Sequence, residues 1–258
     1  MFRSGVVKWV LKEGLIFFAA TTLVSSGADF NEVVLRQIAT MPSGGSYATT
    51  TAAHAALASA AEIDPTGVRL RPERARPSYC SGATYLVFLK ALGELQKTGN
   101  LRLERTQWES LLPAAMADGH GVWGRWNANG PGTARLFHEL SLGRNFTSFA
   151  EARPGDFLKI FWIDAVGKKE RGHSVVYLGT ETKDGVEYVR FWSSNKPGGY
   201  GEKSVALSKI ARALFSRLES PSNLAALERL TPVDSYLAGL LKNESSFREA
   251  CKLTGAAN

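Results

Sequence analysis

The sequence predicts an α+β fold in which one long helix packs against an antiparallel sheet, with helical segments before and after it. Three observations predict it. From residue 80, Ala83, Tyr85, Leu86, Leu89, Ala91 and Leu92 recur at near-helical spacing. Residues 151–163, 171–180 and 185–195 read as successive strands, the last two joined by the hairpin-type turn Lys183-Asp184-Gly185. From Ser204 onward the apolar spacing of VALSKIARALFSRL reads as helix again.

The elements follow in chain order. Arg3, Lys8 and Lys12, the apolar stretch 14–24 and the small residues Ser26 and Ala28 have the order of a secretory signal peptide over 1–28. The apolar core is far short of the ~20 residues that span a bilayer, although an uncleaved N-terminal anchor is the alternative. Residues 29–40 and 49–63 read as helices separated by the turn signal MPSGGS, forming a helical lead-in over 29–71. The Pro- and Arg-rich stretch 65–77 reads as an extended connector. The central helix runs over 80–97, and 106–116 reads as a second helix with Thr106 as its N-cap.

The Gly-, Asn- and Trp-rich stretch 118–132 reads as an irregular loop, with Trp123 and Trp126 as ligand-facing aromatics or as plugs under the loop. Arg125 between them is a candidate partner for a substrate carboxylate. A helix over 132–141 and the three strands complete a core assigned to 72–203, and 204–258 is assigned as a helical C-terminal extension.

Composition narrows the class. The 258 residues are 44% apolar and 21% charged, an ordinary globular balance with room for one sizeable core. The formal charge is +7, yet Lys and Arg are dispersed and no basic run alternates with aromatics as a nucleic-acid channel requires. A diffuse positive field favours an anionic partner or simply solubility. No Gly-rich nucleotide fingerprint, serine nucleophile elbow or metal-ligand spacing of His and Cys occurs, so neither cofactor nor metal is expected.

The chemistry is carried by Cys80 and His173. A thiol attacks only as thiolate, and its ordinary pKa of about 8.5 has to be lowered. The unpaired N–H groups and dipole of a helix N-terminus favour the thiolate, and an imidazole that takes its proton completes the pair. Cys80 heads the central helix and His173 opens a strand, RGHSVVYLG. A buried structural cysteine is the competing reading of Cys80 alone. A Cys80–Cys251 disulfide would abolish the nucleophile; Cys251 sits in a polar segment near the C-terminus, and no pairing is expected.

Several short motifs in this order resemble the NlpC-type and CHAP-type cysteine peptidases and amidases of bacterial cell walls. They are Cys80-Ser81-Gly82 at the helix start, Pro154-Gly155-Asp156 before the first core strand and Gly172-His173 at the next, within residues 72–201. The resemblance implies a papain-like fold and a secreted, cell-envelope cysteine hydrolase that cuts amide bonds in peptidoglycan. Cys80 is then the nucleophile and His173 the general base. Asn195 is the choice for the group that orients the imidazole, with Ser193, placed on the opposite alternation, as fallback. Tyr79 stands where the family often has Asp and is a candidate oxyanion contributor beside the Cys80 backbone amide, and Trp192 joins the substrate-binding set.

A monomer without stable membrane insertion after signal cleavage fits this reading. An acyltransferase or deamidase on the same scaffold, or a catalytically inactive wall-binding module, are the rival readings.

Overall fold

The computed structural model describes residues 29–65 and 67–256, so the predicted signal segment 1–28 lies outside the described residues. The class is α+β, with helices set against a mostly antiparallel sheet. The first elements are α1 (Phe30–Ala39), β1 (Gly44–Gly45), α2 (Thr51–Ser59), β2 (Ala61–Asp64) and β3 (Gly67–Leu70). Next come α3 (Cys80–Lys97), α4 (Arg105–Leu111), α5 (Gly121–Asn127) and α6 (Gly132–Glu139). The strands β4 (Gly143–Phe146), β5 (Phe157–Phe161), β6 (Val166–Gly167), β7 (Gly172–Lys183), β8 (Val186–Asn195), β9 (Gly199–Ala206) and β10 (Arg212–Leu218) follow. The chain closes with α7 (Ser235–Gly239), β11 (Glu244–Ser245) and α8 (Phe247–Thr254). Among the described residues one sheet has the order β1-β9-β8-β7-β5-β10-β4, and its pairings are antiparallel.

The helix α3 begins and ends where the sequence places it. Its residues from Ser81 to Leu89 are all buried, because α1, α5 and the sheet cover it on several sides. A helix apolar around most of its circumference belongs in the centre of a fold. The rings of Phe88, Trp126, Phe137 and Phe157 pack at centroid distances of 4.9–6.3 Å and so lock α3, α5, α6 and β5 into one core.

Four expectations change. The stretch 118–132 contains the helix α5 rather than only a loop; its two turns are too short for periodicity to reveal and are fixed by tertiary bonds. The lead-in is not purely helical, since β2 and β3 pair antiparallel and β1 joins the main sheet. The helix predicted over 106–116 runs from Arg105 to Leu111, capped by Glu104 through a reciprocal bond with Gln107.

The fourth change moves a boundary. The segment predicted as a C-terminal helical extension from 204 contains the end of β9 and all of β10, and β10 lies between β5 and β4. Six of the seven residues of β10 are buried, so the strand shows no polar–apolar alternation and its sequence mimics a buried helix. The core therefore extends beyond 203.

The Pro154-Gly155-Asp156 turn ties this added strand in. Asp156, fully buried, accepts from Arg217 of β10 at 2.8 and 2.7 Å and from Asn31 of α1 at 2.8 Å. Gly155 has φ of +95°, and a Cβ there would meet the Asn31 backbone.

Candidate active site

Cys80 is the first residue of α3, preceded by Tyr79 in extended conformation, and no side chain caps this end of the helix. Cys80 thus opens a helix whose first N–H groups have no intrahelical acceptor, at the positive end of its dipole. His173 is the second residue of β7, and its imidazole is the strongest of the influences that lower the Cys80 thiol. Asn195 ends β8, with Oδ1 3.0 Å from His173 Nε2.

The orientation of that amide is set by its other bonds. Asn195 Nδ2 donates to the carbonyls of Gly201 at 2.8 Å and Ser193 at 3.3 Å, which leaves Oδ1 facing the imidazole. Oδ1 can only accept, so Nε2 carries the hydrogen and Nδ1 is the nitrogen free to take the thiol proton. The ring is also held by Trp162 and Phe191, with centroids 6.3 and 5.6 Å away.

Electrostatics favour the thiolate. Burial alone pushes the Cys80 thiol up, but the hydrogen bond and charge of His173, the Ser174 backbone N–H and the Lys159 ammonium together bring it from 9.0 down to about 6. Cys251 is buried on α8, and burial pushes its thiol up. Both cysteines are free thiols.

The structure adds a residue that the sequence does not reveal. The Tyr47 hydroxyl donates to Cys80 Sγ at 3.9 Å, reaching across from the loop after β1. Burial, and then the neighbouring thiolate, keep this phenol above its ordinary range, so it remains a donor. Its chain position, 33 residues before the nucleophile and just after the Gly44-Gly45 pair, carries no local signal.

Tyr79, by contrast, is buried, and its hydroxyl bonds His54 Nδ1 at 3.1 Å while its ring packs on the His54 ring. The hydroxyl beside the sulfur is that of Tyr47, and Tyr79 is a packing residue at the base of the cleft. Ser193 shares the strand face of Asn195, because residues two apart on a strand point the same way; its hydroxyl donates to the Ser174 carbonyl at 2.7 Å. The alternation assumed for it is corrected.

The predicted binding aromatics are core residues. Trp126 is 1% exposed, and its indole N–H donates to Thr84 Oγ1 at 3.2 Å. Trp123 packs on Tyr85 at 5.0 Å, and Trp192 stacks on Tyr200 at 5.8 Å. Arg125 is fully buried. It pairs with Glu139 at 2.7 Å and donates to the carbonyls of Gly119, Gly121 and Thr231, which staples α5 to its surroundings. None of these four side chains is free for a ligand.

Two adjoining hollows meet at the cysteine and histidine. One, of about 410 Å³, is lined by Cys80, Ser81, Tyr79, Asp118, Asn127 and Lys159 among others. There Ser81 Oγ donates to Asn127 Oδ1 at 2.7 Å, and burial raises the Asp118 carboxyl above its ordinary range. The second, of about 360 Å³, is lined by His173, Asn195, Trp162, Phe191 and basic side chains. Tyr47 and Gly172 line both, so the two form one cleft.

Gly172 has a packing role. A Cβ there would approach Glu170 Oε1 at 2.6 Å and Lys159 Nζ at 2.9 Å, displacing the Lys159–Glu170 ion pair that forms the cleft wall. No protein family, curated protein or solved structure matches the chain.

Proposed function

We propose that this protein is a papain-like thiol hydrolase that cleaves amide bonds, with peptidoglycan stem peptides as its substrate. One observation carries the reading: Asn195 Oδ1 holds the His173 imidazole through Nε2, which leaves Nδ1 to take the proton of the Cys80 thiol that the same imidazole keeps low. Nucleophile, base and orienting group then occupy the three roles that acyl transfer needs.

In this mechanism Nδ1 takes the Cys80 proton and the thiolate attacks the amide carbonyl carbon. The oxyanion is met by the Cys80 backbone N–H and the Tyr47 hydroxyl. Collapse breaks the C–N bond as the imidazolium gives its proton to the leaving nitrogen, releasing a free amine. Water, deprotonated by His173, then attacks the thioester; the carboxylic acid leaves and Cys80 is restored. The positive net charge and the resemblance of the motifs favour an anionic wall polymer as the target. Export through the 1–28 segment belongs to the same reading.

The test is digestion of purified peptidoglycan by the full chain and by Cys80→Ala, followed by mass spectrometry of the muropeptides. Amide-cleavage fragments from the wild type alone are the expected result. Retention of the wall by both proteins without cleavage would favour a binding module.

A further inference from the structure

The reading of the site as a thiol hydrolase also orders the cleft, because a general acid must reach the atom it protonates. His173 delivers its proton to the leaving nitrogen, so the amine half of the substrate lies on the histidine side and the acyl half over the cysteine side. The histidine-side pocket is lined by Arg171, Lys196 and Lys203 and by no Asp or Glu. Among the described residues none of these three cations has an ion-pair partner, whereas Arg190, Arg212 and Lys183 on the same sheet are paired with Glu202, Asp164 and Glu181.

Their placement aims the charge at the site. Lys203 stands opposite Phe191 in the β8–β9 register, and the Phe191 ring touches the His173 ring. The Lys196 ammonium lies 5.2 Å over the ring of Tyr47, whose hydroxyl reaches the sulfur. The acyl-side hollow differs in kind: it carries Asp118, and the Lys159 ammonium there is paired with Glu170 at 2.6 Å.

We propose that the pocket beyond His173 is the leaving-group subsite and that the amine released by cleavage carries a carboxylate, held by Arg171, Lys196 and Lys203. The proposal rests on the hydrolase reading and deepens it by naming the charge and side of one substrate half. In the first step the C–N bond breaks, the acyl group passes to the Cys80 sulfur as a thioester, and the released fragment leaves with a new primary amine and its own carboxylate. In the second step water takes the acyl group from sulfur, giving a carboxylic acid and the free thiol.

The experiment compares Cys80 alkylation by iodoacetate and by iodoacetamide in the full chain, read by peptide mass spectrometry so that Cys251 is counted separately. Lys196→Glu/Lys203→Glu and Lys196→Met/Lys203→Met are the test variants, with their folding checked by thermal unfolding. The iodoacetate-to-iodoacetamide rate ratio of the wild type should exceed that of free glutathione. It should fall by about 10-fold in the charge-reversed variant and by less in the Met variant. In the wall digest, the fragment bearing the new amino group should also carry a free carboxylate.

If Cys80 alkylates as a low-pKa thiol but the ratio is unchanged by both variants, the subsite is wrong and the hydrolase stands. A new amine on a fragment without a carboxylate overturns it in the same way. If Cys80 does not react as a low-pKa thiol, both readings fall together.

Discussion

Asn195 lies opposite His173 only because β7 carries one extra residue. From the turn outward, Lys183 pairs with Val186 and Thr180 with Val189, a register that continued unbroken would set Asn195 against Ser174. The register slips between Tyr177 and Gly179, so that Tyr177 pairs with Phe191 and Val176 with Trp192. Continued to the strand ends, the shifted register sets Asn195 against His173, where the 3.0 Å bond forms. A bulge of one residue re-aims a side chain, as bulges beside functional sites commonly do.

It follows that Asn195→Ala should lower amide turnover while leaving the fold intact, since the ring loses the acceptor that fixes its tautomer. A loss of about 10²-fold in kcat, at the low end of what acid–base catalysis contributes, is expected. Asn195→Asp, which keeps an acceptor at the same place, should recover part of it. Equal kcat in Asn195→Ala and wild type would show that the bond is not used.

The thiol sets a pH prediction. With Cys80 brought down to about 6, its thiolate fraction rises with pH through that value, and alkylation by iodoacetamide should be half-maximal near pH 6 and level above it. Below that, the rate should fall about tenfold per pH unit. His173→Ala removes the largest of the contributions that lower the value, so the midpoint should move up toward the ordinary thiol range. An unchanged midpoint in that variant would remove His173 from the pair.

Tyr47 and Tyr79 are separated by a pair of Phe substitutions. Tyr47→Phe deletes the donor beside Cys80 Sγ, and an oxyanion donor is worth about 10²–10³-fold in kcat. The same change should raise the midpoint of Cys80 alkylation, because the thiolate loses a hydrogen bond. Tyr79→Phe loses only the bond to His54 and should leave the midpoint in place.

The local parts of this site are legible in the sequence and the nonlocal ones are not. Cys80 stands out because its helix, with the small residues Ser81 and Gly82 behind it, is written in one continuous stretch. His173 likewise opens a strand whose pattern is local. Asn195 is reached only by analogy: Gly179 inside the β7 run marks a place where the strand can bulge, but not the register that follows, and so not which residue of β8 meets His173. Tyr47 arrives through a loop held by the Tyr47–Ser78 bridge, a contact that nothing near it in the chain announces.

The Trp123–Trp126 segment misleads because the glycines around it read as flexibility. In the fold, Gly124 and Gly132 instead permit close backbone approach, since a Cβ at either would clash with the carbonyl of Ala117 or Arg125. Strand β10 misleads because burial on both faces erases alternation.

That strand supplies the last prediction, which concerns stability. Arg217 of β10 is 5% exposed and its guanidinium is matched bidentately by Asp156, which also accepts from Asn31 and the Arg153 backbone N–H. Asp156→Asn keeps the shape but removes the charge, leaving a buried cation without its counter-ion. Breaking a buried pair in this way costs about 3–5 kcal/mol. Urea unfolding should show a loss of that size, and Asp156→Leu/Arg217→Met, which removes both charges, should recover part of it. The alkylation midpoint of Cys80 should stay the same in Asp156→Asn, because none of the groups that set it belongs to this pair. A loss below about 1 kcal/mol, the range of exposed ion pairs, would mean that water reaches Arg217 and that the turn is not what anchors β10 to the core.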